Sequence, residues 1–279
     1  MSEYVCITTL VEDTTSGTEL SGEHGLSFWI EYGNQRVIFD AGQTGLLIEN
    51  ARILGVDVGK TDAIVLSHGH YDHTGGLAAV LDIAPRAIVY AHPAAILPKC
   101  GRKGAETRAI GMSDSTREVV RAHAQDERVV WTEEPAEVMT GLFVTGRIPR
   151  ITDFEDAGGA FYVDENCEEA DILPDDQAMF FDTPRGLVVV LGCSHAGVVN
   201  TLDYIVKLSG GKHIDSVVGG MHLLSACQDR VERTVNAFRK HNVQNIGFGH
   251  CTGANAAQEI RSAFPGRCFT CSTGSRVRL

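Results

Sequence analysis

Four residues of types that bind transition metals lie within six consecutive positions of this chain. They are His68, His70, Asp72 and His73. The set follows the apolar run 63–66, which predicts a buried strand ended by turn residues. In an extended chain His68 and His70 point to the same side, and Gly69 between them allows the backbone to bend close to an ion. The other two members follow at a turn, where they would face a second ion.

This spacing favours a metal site over a scatter of surface histidines. Three histidines and one aspartate at a single strand end depart far from random usage. Neutral imidazole and carboxylate suit zinc, iron or manganese, and zinc is the commonest choice for such a set. The sequence therefore predicts one or two divalent metal ions, with zinc first and iron or manganese as alternatives.

Three further histidines each end an apolar run beside small residues. They are His195, His222 and His250. Metal sites in layered α/β proteins gather ligands from the ends of different strands, and neighbouring Gly or Ser residues allow close approach. We interpret His195 and His250 as metal ligands. His222 is either a ligand or a hydrogen-bonding partner of the substrate, and we count it with Asp72 as a catalytic candidate.

Charge and hydropathy restrict the class of protein. The 279 residues include 24 Lys and Arg against 36 Asp and Glu, a formal charge of -12. Such a surface repels polyanions, so nucleic acid is disfavoured as the substrate. No apolar run approaches the roughly 20 residues that cross a bilayer, and the N-terminus lacks a secretory pattern. We expect a cytoplasmic protein without a membrane partner; the oligomeric state stays open.

The eight cysteines are dispersed along the chain. In a chain of this length that pattern predicts reduced thiols rather than a disulfide framework. Cys268 and Cys271 have CxxC spacing without a second pair, which indicates a terminal strand more than a redox or metal site.

Strand and helix patterns alternate in both halves, which predicts one α/β domain over residues 1–279. Residues 99–175 fit this rhythm less well, and we interpret them as an elaboration that covers the metal site. The predicted strands are 4–11, 26–32, 36–40, 63–66, 86–91, 129–131, 142–145, 178–182, 186–191, 216–222, 245–250 and one near 277. The predicted helices are 46–54, 77–83, 115–125, 199–208, 228–241 and one that ends at 264.

A basic cluster in this acidic chain comprises Lys99, Arg102, Lys103 and Arg108. The candidates for binding a substrate phosphate are Lys99, Arg102 and Lys103 of this cluster together with Arg147 and Arg150, and we add His24. Charge-assisted hydrogen bonds would hold the phosphate. The alternative is a solvated loop, because runs of charge often do no more than cover a surface.

The HxHxDH pattern after an apolar strand resembles the signature of the metallo-β-lactamase fold. That resemblance implies a four-layer αββα sandwich. It also implies membership of a superfamily whose enzymes are mostly hydrolases with one or two metal ions. Further motifs resemble one branch, the 7,8-dihydropterin-6-ylmethyl-4-(β-D-ribofuranosyl)aminobenzene 5'-phosphate synthases and their bacterial relatives. The motifs are residues 23–27, 145–150, 176–178, 192–197, 219–223 and 249–253.

The resemblance also implies how the ligands divide. His68, His70 and His195 would hold one ion, and Asp72, His73 and His250 the other. Asp40 and Gly42 form the Asp-x-Gly that supports the metal loop from behind in such proteins. The usual bridging carboxylate is missing, because the strand that should carry it ends in Gly-Cys-Ser-His at 192–195. Cys193 or Asp176 could substitute in part, or the bridge is absent.

Activity is implied only at the level of the branch. The synthase joins a dihydropterin methyl diphosphate to an aminobenzene ribosyl phosphate and expels diphosphate, so the substrate would be small and phosphorylated. The main alternative is hydrolysis of an ester, lactone or phosphodiester, with Asp72 or His222 as proton acceptor. A diiron redox or sensing protein is a third reading, disfavoured by His70, since the position is commonly Glu in such proteins. A binding module without catalysis is disfavoured further.

Overall fold

The computed structural model describes residues 4–279, and within that range two seven-stranded β-sheets pack face to face with helices on both outer faces. The strands are β1 Val5–Val11, β2 Ser27–Tyr32, β3 Gln35–Phe39, β4 Ala63–Val65, β5 Ile88–Ala91, β6 Cys100–Lys103, β7 Glu106–Ala109, β8 Val129–Trp131, β9 Ala136–Met139, β10 Leu142–Val144, β11 Phe161–Tyr162, β12 Met179–Thr183, β13 Gly186–Leu191, β14 Ile214–Gly219, β15 Asn245–Phe248, β16 Cys268–Thr270 and β17 Arg276–Arg278. The α-helices are α1 Leu46–Ile53, α2 Tyr71–Thr74, α3 Leu77–Ile83, α4 Asp114–Gln125, α5 Val198–Leu208, α6 Gln228–Lys240 and α7 Ala254–Ala263. Three 3₁₀ turns span Val58–Lys60, Pro93–Ile96 and His250–Thr252.

Each large sheet has an antiparallel part and a parallel part. The first sheet has the order β17-β1-β2-β3-β4-β5-β8, with parallel pairing from β3 to β8. The second has the order β16-β15-β14-β13-β12-β10-β9, with parallel pairing from β13 to β16. Because parallel strands point the same way, the loops that follow them gather along one edge of each sheet.

Alternating side chains explain the four layers. Phe28 in β2 faces the second sheet, where it shares a core with Phe181 of β12. The neighbouring Trp29 points the other way, into a core with the helices that cover the first sheet. On the far side, Val189 of β13 packs with Leu202 of α5. Both faces of each sheet are apolar, so each face needs a covering layer. The predicted αββα sandwich is confirmed.

The region 99–175 contributes to three different sheets. Within it β8 pairs with β5 at the edge of the first sheet, while β9 and β10 extend the second sheet beyond β12. Only β6, β7 and β11 form a separate small sheet, which we call the covering sheet. The sequence pattern did not predict the β6–β7 hairpin, because its strand β7 is exposed throughout and lacks an apolar face.

Two predicted strands end earlier in the structure, and the one predicted for 245–250 ends at Phe248, so His250 begins the 3₁₀ turn after β15. The strand predicted for 216–222 ends at Gly219, so His222 lies in the loop after β14. No helix within residues 4–279 combines the length and apolar character needed to span a bilayer. The cysteines, all within this range, are free thiols.

Candidate metal centre

The predicted ligands converge on one edge of the sandwich. The loop after β4 carries the HxHxDH residues, and Cys193 and His195 follow β13. The loops after β14 and β15 deliver His222 and His250. Strands β13, β14 and β15 are adjacent and parallel, so three loops distant in sequence reach the metal loop together.

The first group of donors is His68, His70 and His195, whose ligand nitrogens lie within 4.8 Å of one another. His70 Nε2 and His195 Nε2 are buried and have no hydrogen-bond partner within the described chain. Burial lowers the pKa of all three imidazoles, that of His70 to about 3, so they are neutral at pH 7. His68 Nε2 and His70 Nδ1 lie 3.0 Å apart, and such a close set of neutral imidazole nitrogens fits a divalent cation.

The second group surrounds Asp72. Its Oδ2 lies 3.6 Å from His73 Nε2, 3.5 Å from His250 Nε2 and 3.3 Å from His24 Nε2. Burial alone would raise the pKa of Asp72, but His73 and His250 hold it well below its usual range. The carboxylate is therefore ionised, as metal binding requires. His24, expected to bind substrate, adjoins this group.

Cys193 lies between the two groups. Its Sγ is 3.2 Å from His73 Nε2, and it belongs to one donor group with His68 and His73 and another with His195 and His222. Asp176, the other candidate bridge, accepts a hydrogen bond from Ala196 N at 2.7 Å. Its second oxygen has no hydrogen-bond partner in the described chain, and burial raises its pKa to about 7. The Cys193 sulfur therefore occupies the more central position, and thiolate is a preferred zinc ligand.

Outer partners orient the rings. Asp40 Oδ2 accepts from His73 Nδ1 at 2.7 Å and from Ser67 Oγ at 2.7 Å. Ser67 Oγ lies 2.9 Å from His68 Nδ1. These contacts leave the Nε2 atoms of both rings directed at the metal position, which is how carboxylates support metal-ligating histidines. The Asp-x-Gly motif thus supports the metal loop from behind.

His222 stands beside the first group. Its ring centroid is 4.4 Å from that of His195, and its Nε2 donates to the Gly158 carbonyl at 3.1 Å. Because a carbonyl only accepts, the neutral ring carries its proton on Nε2, and Nδ1 keeps a lone pair. That buried Nδ1 has no hydrogen-bond partner within residues 4–279. Both predicted roles, ligand and proton acceptor, remain chemically open to it.

Lys99 does not fit the substrate-binding role expected for it. The side chain is 3% exposed, and its Nζ donates to Asp171 at 2.9 Å and to Asp175 at 2.8 Å. Asp175 in turn accepts from Gly69 N at 2.7 Å. The ammonium is therefore part of a buried network that supports the metal loop, and no substrate phosphate reaches it.

The other predicted cations have different surroundings. Arg102 is exposed and stacks over the Tyr162 ring at 5.0 Å, and Lys103 is exposed beside it in β6. Arg147 is exposed. Arg150 is half-buried, donates to the Ile172 carbonyl and lines a cavity of about 450 Å³. The predicted cations thus do not share one environment.

The sequence did not predict two residues that lie at the site, Phe161 and Asp13. Phe161 of the covering sheet lies 5.2 Å from His70 and 5.3 Å from His195, ring centroid to centroid. Asp13 contacts His250 Nδ1 at 3.0 Å and His24 Nδ1 at 3.1 Å. Neither lies near a motif, and only contacts across the fold reveal them.

Comparisons with known proteins show which family has this fold and this arrangement of residues. Residues 20–204 match the model of the metallo-beta-lactamase superfamily. The chain belongs to that superfamily. It is 30% identical to a 7,8-dihydropterin-6-methyl-4-(beta-D-ribofuranosyl)-aminobenzene-5'-phosphate synthase of Methanocaldococcus jannaschii, over 94% of this chain and 92% of that one. An uncharacterized protein of the same archaeon is 32% identical over 90% and 92% of the two chains.

Solved structures show the same superfamily fold. Tm1679, named a metal-dependent hydrolase of the beta-lactamase superfamily, superposes with a TM-score of 0.79 and 28% identity over 98% of both chains. A diphosphatase from the PhnP family shares the fold at a TM-score of 0.54 and 17% identity, over 100% of this chain and 98% of that one. The predicted resemblance to the superfamily and to the synthase branch is confirmed.

Proposed function

We propose that this superfamily member is a metal-dependent transferase of the dihydropterin type. It would join a dihydropterin methyl diphosphate to the amine of an aminobenzene ribosyl phosphate. The observation that carries the proposal is the similarity to the synthase along nearly the whole of both chains. The two adjoining donor groups around Cys193 are consistent with it, since they suit two divalent ions, zinc first.

The bond changes define what the site must do. The amine nitrogen attacks the methylene carbon, the carbon–oxygen bond to diphosphate breaks, and the amine loses a proton. When bound, the ions would supply positive charge for the leaving diphosphate. His222 Nδ1 is the better-placed proton acceptor, because it is buried, lacks a hydrogen-bond partner and adjoins His195. Asp72 contacts three imidazoles and is suited to binding a cation.

The covering sheet would exclude water from the reaction. Phe161 closes over His70 and His195, and Gly158 holds His222 through its carbonyl. A dry site strengthens the attraction between charged groups and protects a reactive methyl diphosphate from hydrolysis.

Hydrolysis is a second candidate, favoured by the similarity to Tm1679 and its name. In that case water would attack an ester or phosphodiester, and His222 would accept its proton. The same residues would act in both reactions. The attacking group would be water in the hydrolase and the amine in the transferase.

The test is turnover of zinc-loaded protein with three substrates: the dihydropterin methyl diphosphate with its amine acceptor, a lactone and a phosphodiester. Mass spectrometry would follow the coupled product, and diphosphate release would be measured in parallel. We expect a coupled product with one diphosphate released for each product molecule. Cleavage of the lactone or phosphodiester without coupling would reject the transferase and support the hydrolase.

A further inference from the structure

The covering sheet has an inner face and an outer face, which its register defines. Phe161 pairs with Gly101, and Gly101 pairs with Arg108. Residues directly opposite in antiparallel strands point to the same face. Since the Phe161 ring contacts His70 and His195, this row faces the metal centre. Arg108 therefore projects on the inner face.

Arg102 projects on the opposite face. It is one residue from Gly101 in β6, and successive strand residues alternate. Its guanidinium stacks over Tyr162, which likewise neighbours Phe161 in β11. Two arginines of one hairpin thus have opposite surroundings, and only one of them faces the site.

Arg108 is held against the metal loop. Its guanidinium donates to the Tyr71 hydroxyl at 3.1 Å and lies 5.4 Å over the Tyr71 ring. Tyr71 separates His70 from Asp72, and its backbone N–H donates to the Ile110 carbonyl at 2.9 Å. The strand that carries Arg108 is therefore tied to the HxHxDH loop itself. His24 lies on the same rim, its ring 6.5 Å from that of Tyr71.

The guanidinium remains available to an anion. Arg108 is exposed and forms no salt bridge with a carboxylate of residues 4–279. A guanidinium has five N–H donors in a fork that matches phosphate, and one bond to Tyr71 leaves most of them unused. In a chain with a formal charge of -12, an unpaired cation beside the metal loop is a distinct feature.

We propose that Arg108, positioned by Tyr71, binds a phosphate or diphosphate group of the substrate at the mouth of the metal centre. The proposal rests on the proposed function in one respect, that the substrate is a phosphate ester, and it names the residue that selects this class. Within the basic cluster of the sequence, it assigns this role to Arg108 on the inner face rather than to Arg102 on the outer face.

The experiment compares Arg108→Gln with Arg102→Gln in zinc-loaded protein. Calorimetry with inorganic diphosphate measures anion binding without any reaction. We expect Arg108→Gln to weaken binding by about 10- to 100-fold, as for the loss of a charge-assisted hydrogen bond. Arg102→Gln should change it by less than about twofold. Arg108→Lys should restore part of the affinity.

Kinetics with the phosphorylated substrate separate binding from catalysis. For Arg108→Gln we expect KM to rise by about the factor lost in diphosphate binding, with kcat changed far less. Equal effects of the two substitutions, or no diphosphate binding by the unaltered protein, would overturn the proposal. Arg108-dependent diphosphate binding without the coupled product would uphold Arg108 and reject the transferase.

Discussion

The metal loop and the covering sheet meet at the same site, yet they are specified in different ways. In the loop, His68 and His73 are fully buried, and their outer partners include Asp40 and Ser67. In the covering sheet, β7 is exposed along its whole length. Local spacing places the loop residues, because one short segment carries them. Cross-strand register places the residues of the sheet, and register depends on pairing partners.

Cations that are close in sequence show what this difference means. Lys99 is buried in an ion-pair network, Arg102 faces outward, and Arg108 faces the metal loop. In the sequence the three belong to one basic cluster. The fold gives them three separate environments. Each prediction below therefore compares a residue that the fold buries or confines with a residue of the same type that it does not.

The largest effect should follow from His68→Ala. It removes a buried donor of the first group, and we expect activity to fall by roughly a thousand-fold, because a bound metal contributes several kcal/mol and about 1.4 kcal/mol is tenfold. Metal content by elemental analysis should fall with it, while circular dichroism stays unchanged. His213→Ala is the control, since His213 is exposed just before β14, at the opposite end of that strand from His222. Full turnover by His68→Ala would contradict the assigned site.

Lys99→Met should destabilise the fold. It leaves two buried carboxylates without their cation, which costs about 3–5 kcal/mol in the free energy of unfolding. Burial alone would lower the pKa of Lys99, but Asp175 and Asp171 raise it above 10.5. Its stabilisation is therefore fully present at neutral pH and is lost only as the pH rises through that raised pKa. Urea unfolding at pH 7 measures the difference.

Lys103→Met is the matched control for Lys99. Lys103 is exposed at the end of β6, so its loss should change the free energy of unfolding by no more than about 0.5 kcal/mol. Equal destabilisation by the two substitutions would show that burial does not decide how much each lysine contributes to the free energy of unfolding.

A smaller effect should follow from Gly69→Ala in the metal loop. A Cβ at Gly69 would lie 2.1 Å from the Ala95 carbonyl oxygen, so the loop or the Pro93–Ile96 turn must shift. We expect a loss of about 1–3 kcal/mol in the free energy of unfolding. Gly17→Ala is the control, because nothing lies within 4 Å of a Cβ there. Unchanged stability in Gly69→Ala would show that the loop has room to adapt.

Much of the fold and of the candidate site follows from the sequence. Apolar runs and helical spacing predicted most strands and helices of both halves, since strands that are buried on both faces are apolar throughout. The HxHxDH spacing and the three histidines after strands predicted which residues converge, because parallel neighbouring strands must end at one edge. The predicted site residues that lie together in the structure include His68, Asp72, His195 and His250.

Only the tertiary structure decided the central place of Cys193, the buried partners of Lys99 and the inward projection of Arg108. Nothing in the local sequence around Cys193 indicates that its sulfur lies 3.2 Å from His73 Nε2. The side of the covering sheet that Arg108 occupies depends on a register shared by three strands that are separated in sequence by up to 60 residues. Such choices arise from contacts between distant segments, which local periodicity does not encode.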